Sequence, residues 1–340
     1  MTTTDSAATA YAPRRLGRTG PEVFPLGLGA MGMSAFYGPA DRDESIATVH
    51  AALDAGITLI DTGDFYGMGD NELLLADALR GVDRDRYLLS VKFGAQRDPV
   101  GAFIGYDASP AAVKTSLAYT LRRLGEDHID VYRPARLDPE VPIEETVGAI
   151  AEMVQAGYVR HIGLSEVGAD TLRRAAAVHP IVDLQIEYAV ITRGIEAAIL
   201  PTARELGIGI TAYGVLARGL ISGHWTKDSA GATDFRSNSP RFQGDNLDQN
   251  LALVETLRAI AERKDVSVAQ LAIAWVAAQG SDIVPLIGAR RRERLAESLG
   301  SLSVTLTADD FAEIDKAIPA DAAAGDRYDA HSMAMLDSEK

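Results

Sequence analysis

The chain alternates short β-prone runs with amphipathic helical stretches, and this alternation repeats eight times. The first pair is Phe24 to Leu28 with Asp43 to Ala55, and the last is Ile283 to Ile287 with Arg292 to Leu299. Strands that alternate with helices form a parallel sheet, because each helix returns the chain to the edge where the next strand starts. Eight such units close a barrel. The alternation therefore predicts an α/β fold, a (β/α)8 TIM barrel.

Six further pairs lie between these two, and no Pro/Gly/Ser-rich linker divides them. We predict a disordered N-terminus over residues 1–12, a single barrel domain over residues 13–320 and a C-terminal tail over residues 321–340. A hairpin from Arg14 to Val23 opens the domain, and the helix from Ala308 to Ile318 packs outside the barrel. The intermediate pairs are Thr58 to Ile60 with Asn71 to Arg80, Tyr87 to Lys92 with Ser109 to Leu124, Ile129 to Tyr132 with Ile143 to Ala156, Val159 to Leu164 with Ala169 to Val178, Val182 to Glu187 with Ile195 to Leu206, and Ile208 to Tyr213 with Leu247 to Arg263 and Val268 to Ala278.

The acidic composition and the absence of cysteine limit the classes of function. A formal net charge of -15 disfavours attraction to nucleic acid and to anionic membranes, so a small molecule is the expected partner. Zero cysteines exclude disulfides, thiolate catalysis and cysteine-ligated metals, which fits a cytoplasmic protein. No signal peptide or transmembrane run is recognisable, and no metal site is indicated. Monomer and homo-oligomer both stay open.

Three residues that could share a proton lie at the ends of two consecutive predicted strands. Asp61 ends an apolar run, Tyr66 follows it after a polar turn, and Lys92 ends the next strand. A buried lysine held by the aspartate would favour the phenolate, lowering the pKa of the tyrosine from about 10 so that it exchanges protons near neutral pH. The alternative is structural, with the acid capping a helix and the lysine extending along a strand to solvent.

The stretch Gly27-Leu28-Gly29-Ala30-Met31-Gly32 matches the GxGxxG dinucleotide motif. A Rossmann loop opens directly into a helix that faces the pyrophosphate. Here Ser34 to Arg42 intervenes, and helical periodicity starts only near Asp43. We therefore interpret these glycines as allowing the loop after the first strand to approach a ligand.

Several motifs together resemble those of the aldo-keto reductases. They are Asp-Thr-Gly-Asp-Phe-Tyr-Gly at 61–67, Leu-Arg-Arg-Leu at 121–124, Asp-Pro at 138–139, Pro-Ile-Glu-Glu-Thr at 142–146 and Ile-Gly-Leu-Ser at 162–165. The chain is most similar to a bacterial branch related to the potassium-channel β subunits. The resemblance implies an NADPH-dependent carbonyl reductase with Tyr66 as proton donor, Lys92 and Asp61 as its pKa-setting partners, and hydride delivered from the nicotinamide.

The chain departs from the family pattern at one catalytic position. The family usually has a histidine just before Arg-x-Asp-Pro, and here the stretch reads Ala135-Arg136-Leu137-Asp138-Pro139. Alanine can neither donate a hydrogen bond to a carbonyl nor titrate. The sequence does not show what replaces the missing imidazole.

The resemblance also implies the residues that bind NADP(H). Ser165 and Gln185 would hold the nicotinamide amide, and Tyr213 would stack on its ring. Arg290 and Arg294 would bind the 2′-phosphate at the start of a helix, where N–H groups and guanidinium groups favour anions; a solvated basic helix face is the alternative. The predicted cofactor-binding set is Gly29, Ala30, Met31, Asp61, Ser165, Glu166, Gln185, Tyr213, Gly214, Val215, Leu216, Arg218, Gly219, Arg236, Gly288, Arg290, Arg294, Glu297 and Ser298.

The substrate pocket is predicted to include Met31, Tyr37, Phe93 and Ala135, although such aromatic and Met residues are as often packing. The leading hypothesis is an NADPH-dependent oxidoreductase that reduces an aldehyde or ketone, including pyridoxal-like or aromatic ones, to the alcohol. The alternative is an NADP(H)-binding regulatory or redox-sensing protein with little catalytic activity. The physiological substrate and the direction of the reaction are not determined by the sequence.

Overall fold

The computed structural model describes residues 11–34, 36–225 and 234–340. At its centre eight parallel strands close into a barrel, which confirms the predicted (β/α)8 fold. Around the barrel the strand order is β3, β4, β5, β8, β9, β10, β11 and β12. The strands are β1 Arg14–Arg15, β2 Glu22–Val23, β3 Gly27–Gly29, β4 Leu59–Gly63, β5 Leu88–Phe93, β6 Ala95–Arg97, β7 Phe103–Tyr106, β8 Ile129–Pro134, β9 Val159–Ser165, β10 Ile181–Glu187, β11 Gly209–Tyr213 and β12 Ile283–Gly288.

The helices surround the barrel at the positions that the periodicity predicts, except that one predicted helix is divided into two pieces. The predicted helix from Ile195 to Leu206 is a 3-10 turn, Gly194–Glu196, followed by a helix that starts at Ile199. This start places Pro201 in the first helical turn, where its missing N–H would have no partner. The helices are α1 Arg42–Asp54, α2 Asp70–Leu79, α3 Pro110–Leu124, α4 Ile143–Gln155, α5 Ala169–Val178, α6 Ile199–Leu206, α7 Gly244–Arg263, α8 Val268–Ala278, α9 Arg292–Leu299, α10 Ala308–Ala317 and α11 Ala330–Ala334.

The β1–β2 hairpin closes the end of the barrel where the strands begin. Leu16 and Val23 of this hairpin segment are buried against a small cluster of barrel side chains. The barrel members are Leu59, Val131, Val182 and Val284. With this end filled by apolar side chains, a ligand can approach only the opposite rim, where the strands end. A separate, larger core lies between the strands and the helices.

Two segments near the rim have more structure than the sequence indicates. The loop after β5 forms the antiparallel β6–β7 hairpin. Residues 321–340, predicted as a tail, include α11 and then return to the rim, where the Asp337 carboxylate accepts the Gly168 N–H at 2.8 Å. Residues 1–10 of the predicted disordered start lie outside the described residues. Among the helices in the described part of the chain, none is both long and apolar enough to cross a bilayer.

Candidate active site

A buried polar group occupies the barrel interior just below the rim. The Lys92 ammonium donates hydrogen bonds to an Asp61 carboxylate oxygen and, at 2.9 Å, to the Gln185 side-chain oxygen. The Gln185 amide nitrogen donates to the other Asp61 oxygen at 2.7 Å, which closes a ring of three side chains. All three are at most 3% exposed. The predicted meeting of Asp61 and Lys92 thus occurs, because adjacent parallel strands place Gly63 of β4 beside Lys92 of β5.

A second polar layer supports this ring from below. The Ser90 hydroxyl donates to Asp61 at 2.8 Å and accepts a hydrogen bond from Arg133 at 2.9 Å. Arg133 also pairs with Asp183 at 3.0 Å, and both side chains are fully buried. Gly163 provides the space for this pair, since an added Cβ would lie 2.6 Å from an Asp183 oxygen and 3.0 Å from the Arg133 Cζ. These contacts restrain the carboxylate of Asp61 in one orientation.

Tyr66 lies at the rim above the ring, but its pKa shifts in the direction opposite to the prediction. Its side chain is buried, and the Lys92 ammonium nitrogen lies 5.2 Å from the centre of its ring. Burial, reinforced by the negative charge of Asp61, raises the pKa of Tyr66 well above its usual value. The predicted lowering is therefore wrong for this structure, because desolvation of the phenolate outweighs the nearby positive charges. The phenol consequently keeps its proton and is available as an acid.

Lys92, unlike Tyr66, has a pKa that burial moves toward neutrality. Burial lowers the pKa of Lys92 to about 8, and the interaction with Asp61 offsets this effect only in part. Arg133 and Arg136 repel the ammonium and add to the lowering. Deprotonating Lys92 would leave the buried Asp61 carboxylate without its counter-ion.

A second cluster on the rim joins the end of β9 to the C-terminal segment. Glu166 is fully buried, and Arg327 donates to its two oxygens at 2.9 and 2.6 Å. Burial opposes ionisation of Glu166, but the charge and hydrogen bonds of Arg327 more than offset it, so the pKa of Glu166 is lowered. The Tyr213 hydroxyl donates to Glu166 at 2.6 Å and shares a 2.9 Å hydrogen bond with the Tyr328 hydroxyl. Arg327 was not among the predicted site residues; its signal in the sequence was Glu166, an acid directly after an apolar strand, which needs a positively charged partner if it is buried.

The segment Gly214 to Gly219 follows β11 and has an unusual backbone. Ala217 and Arg218 adopt positive φ angles of 46° and 58°, a region that residues with a side chain rarely occupy. The Arg218 guanidinium donates to Glu187 at 2.8 Å, and Arg236 donates to the Arg218 carbonyl at 2.9 Å. Strained backbone of this kind concentrates at ligand-binding sites. Residues 226–233, in the connection between β11 and α7, lie outside the described residues.

The predicted phosphate position lies where helix α9 begins. Arg290 donates to the carbonyl oxygens of Tyr37, Gly38 and Pro39 at 3.0, 3.4 and 3.2 Å. Partial burial and the like charges of Arg291 and Arg236 lower the pKa of Arg290. A guanidinium crowded by positive charge would be stabilised by a bound anion.

Two charged residues of this helix, Arg294 and Glu297, contact each other. Arg294 donates to Glu297 at 3.0 Å, and Glu297 also lies 3.0 Å from a ring nitrogen of His224. Ser298 is buried and Gly288 ends β12 at an exposed position. Arg294 and Glu297 of the predicted cofactor-binding set are thus neighbours in space, and Glu297 also contacts His224.

The predicted substrate residues do not all face the same space. Ala135 is buried at the rim beyond β8, and Tyr37 lies in the loop after β3 with the Arg236 guanidinium 5.0 Å from its ring centre. Phe93 is fully buried and stacks on Tyr132, with 4.5 Å between the ring centres. The Tyr132 hydroxyl in turn donates to the Val113 carbonyl of α3. Because side chains alternate along a strand, Lys92 faces the barrel interior and Phe93 faces the helices. The prediction that Phe93 contacts substrate is therefore corrected.

Cavity size does not locate the site. A cavity of about 490 Å³ lies beside α5 and the C-terminal segment, and its lining includes Glu187, Thr192 and Arg327. None of Asp61, Tyr66 and Lys92 lines it. We therefore place the candidate site by the buried proton-holding groups at the rim, the end of such barrels where catalytic groups collect. Among the residues that the structure describes, no cluster of three or more His, Asp or Glu side chains could hold a metal.

The chain matches known proteins over most of its length. The model of the aldo/keto reductase family matches residues 25–319. A probable aldo-keto reductase 1 of Glycine max is 41% identical over 318 residues, covering 93% of this chain and 91% of that protein.

Two solved structures have the same fold over most of the chain. The glycerol dehydrogenase AKR11B4 of Gluconobacter oxydans superimposes with a TM-score of 0.81 and 29% identity, covering 90% of this chain and 94% of that one. A thermostable aldo-keto reductase in complex with the inhibitor epalrestat gives a TM-score of 0.73 and 27% identity, covering 90% of this chain and 100% of that one. The barrel, its rim chemistry and these matches lead to one conclusion: the chain belongs to the aldo/keto reductase family of oxidoreductases.

Proposed function

We propose that the protein is an NADPH-dependent reductase of aldehydes or ketones, with Tyr66 as proton donor. The observation that carries this proposal is the position of the buried Tyr66, whose ring centre lies 5.2 Å from the ammonium nitrogen of Lys92 in the buried ring of Asp61, Lys92 and Gln185. A carbonyl oxygen that gains negative charge needs a nearby acid, and the Lys92 ammonium, paired with Asp61, lies beside that acid. We also infer a cytoplasmic location, which the absence of cysteine supports.

The residues at the rim fit a nicotinamide dinucleotide phosphate. NADPH, when bound, supplies the hydride that reduces the carbonyl carbon. Ser165 and Tyr213 would orient the nicotinamide, the strained Gly214 to Gly219 segment would face the pyrophosphate, and Arg290 would bind the 2′-phosphate. The fit rests on the positive-φ backbone at 217–219 and on the crowding of Arg290 by other guanidinium groups.

The direct test is to follow NADPH absorbance while a panel of carbonyl compounds is added, including aryl aldehydes, dicarbonyls and pyridoxal. We expect NADPH oxidation with at least one class and alcohol as the product. Tight NADPH binding without hydride transfer to any of them would instead support a regulatory or redox-sensing role. That alternative is supported by Ala135, since the position usually holds a catalytic histidine.

The cofactor preference is expected to depend on Arg290. A charge-assisted contact with phosphate contributes about 1.5 to 3 kcal/mol, so Arg290→Ala should weaken NADPH binding roughly ten- to a hundredfold. NADH has no 2′-phosphate, and its affinity should change far less. Fluorescence titration with NADPH and NADH measures the two affinities. Titration with 2′,5′-ADP and 5′-ADP, which differ in the 2′-phosphate, repeats the comparison without the nicotinamide. Equal losses for both members of each pair would show that Arg290 acts only by holding the Tyr37 to Pro39 loop.

Activity is expected to decline at alkaline pH as Lys92 loses its proton. Below about pH 8 the ammonium is present, and above it the amine can no longer neutralise Asp61, so kcat/KM should fall as pH rises through about 8. Lys92→Arg is the control, because a guanidinium stays protonated throughout this range. The variant should lack the decline even if its activity is lower. An unchanged decline in Lys92→Arg would assign it to another group.

A further inference from the structure

Arg136 presents a positive charge to the active site without a carboxylate at contact distance. It follows β8, immediately after Ala135. Its guanidinium donates to the Ala135 carbonyl at 2.6 Å and lies 3.4 Å from the Ser165 hydroxyl and 3.4 Å from the Tyr328 hydroxyl. Among the residues that the structure describes, these neutral oxygens are its hydrogen-bond partners. The guanidinium therefore has donor capacity left for an anion.

Three arginines whose guanidinium groups are buried in the barrel or its rim differ from Arg136 in this respect. Each contacts a carboxylate, as expected for guanidinium groups removed from water in a chain with 48 acidic and 33 basic residues. The pairs are Arg133 with Asp183 at 3.0 Å, Arg218 with Glu187 at 2.8 Å and Arg327 with Glu166 at 2.6 Å. Glu166 influences Arg136 through space, but its own oxygens are held by Arg327, Tyr213 and Ser338.

The charge of Arg136 is close enough to affect the catalytic groups. Burial and Asp61 raise the pKa of Tyr66, and Arg136 is the main influence that opposes them. Burial lowers the pKa of Lys92, and Arg136 contributes in the same direction. Arg136 follows β8, which pairs with the strand β5 that carries Lys92, so it lies at the same rim as the catalytic candidates. A substrate whose carbonyl oxygen meets the Tyr66 hydroxyl would extend its other substituents along this rim.

We propose that Arg136 binds an anionic group on the substrate, so that the preferred substrates are aldehydes or ketones that carry a carboxylate or a phosphate. This proposal rests on the proposed carbonyl reductase function. The planar guanidinium can give two parallel hydrogen bonds to two oxygens of one anionic group, and it stays charged at every working pH. The small side chain of Ala135 leaves the guanidinium beside the reacting carbonyl, where the family usually has an imidazole.

The test compares substrates that differ in charge but not in the reacting group. One pair is 4-carboxybenzaldehyde and its methyl ester, and a second is glyceraldehyde 3-phosphate and glyceraldehyde. With NADPH saturating, we expect the anionic member of at least one pair to have a kcat/KM at least tenfold higher than that of its neutral counterpart. The pair that shows this difference identifies whether the preferred anion is a carboxylate or a phosphate. In Arg136→Gln this ratio should fall at least tenfold, mainly through KM, because the anion lies away from the reacting carbon. Arg136→Lys should keep part of the preference.

Arg80→Gln is the control, since it removes the same charge from a side chain that is 77% exposed on the helix side of the barrel. It should leave the ratio unchanged. Equal losses for charged and neutral substrates in Arg136→Gln, or a wild-type preference for the neutral members, would overturn the proposal.

Binding provides a readout that does not require turnover. The affinities of the NADP⁺-bound protein can be measured by calorimetry for two anions and their neutral counterparts, which are 4-(hydroxymethyl)benzoate with its methyl ester and glycerol 3-phosphate with glycerol. At least one anion should bind more tightly to the wild type than to Arg136→Gln. If no carbonyl is reduced but this difference persists, the proposed reductase function fails while the anion site stands. Equal affinities in both proteins for both anions would overturn the anion site.

Discussion

Tyr66→Phe is expected to lower turnover by about 10² to 10⁴, the usual contribution of a positioned general acid. Burial and Asp61 raise the pKa of the phenol, so at neutral pH it has a proton to donate to a carbonyl oxygen as negative charge develops there. Phenylalanine keeps the ring and its packing against Phe65, whose ring centre lies 4.7 Å away, and removes only the hydroxyl. Single-turnover hydride transfer, followed through NADPH absorbance, measures the loss.

The affinity for NADPH is the matched control for this variant. It should be nearly unchanged, because no predicted cofactor contact is removed. Near-parental turnover in Tyr66→Phe would mean that another group protonates the carbonyl. A loss of cofactor affinity together with turnover would instead indicate that the ring, and not the proton, is important.

Ala135→His is expected to change activity in opposite directions for two kinds of substrate. An oriented donor to developing negative charge contributes about 2.7 to 4 kcal/mol, so restoring it should raise turnover of small generic aldehydes by about 10² to 10³. The imidazole would occupy space beside the Arg136 guanidinium, which donates to the Ala135 carbonyl. Bulky or self-polarised substrates such as pyridoxal should therefore react more slowly. Measuring kcat/KM for both kinds of substrate decides the matter.

Ala135→Leu separates the two effects of the histidine, since it fills the space without adding a donor. It should slow bulky substrates and give no gain with small aldehydes. A uniform rise in Ala135→His would mean that the wild-type site merely lacks a donor. If neither the wild type nor Ala135→His transferred hydride, the regulatory alternative would be favoured.

Local patterns in the sequence predicted most of the barrel. Residues on one face of a helix lie three or four positions apart, and residues on one face of a strand lie two positions apart. Both patterns are therefore visible in the sequence itself. The helices Ala169–Val178, Val268–Ala278 and Arg292–Leu299 agree with the predicted bounds. The pairing of Asp61 with Lys92 was also predictable, because parallel strands that follow one another place their ends at the same rim.

The chemistry of the rim depended on contacts between residues far apart in the chain. Arg327 meets Glu166 across 161 positions, and Tyr328 meets Tyr213 across 115. No periodic pattern indicates where a C-terminal segment of this composition will pack, so residues 321–340 were predicted only as a tail. The direction in which Phe93 faces depends on the register of its strand. A change of register by one residue would turn every side chain of that strand to the opposite face.

The amino-acid pattern alone was sufficient for the architecture, and its motifs nominated Asp61, Tyr66 and Lys92 as the candidate catalytic residues. Only the three-dimensional structure decided how these groups are charged. The pKa of a side chain depends on how much water surrounds it and on charges brought close from other elements. Burial is why Tyr66 keeps its proton and Lys92 titrates near pH 8. The same long-range packing left Arg136 without a carboxylate partner among the described residues, because the nearby Glu166 is already held by Arg327.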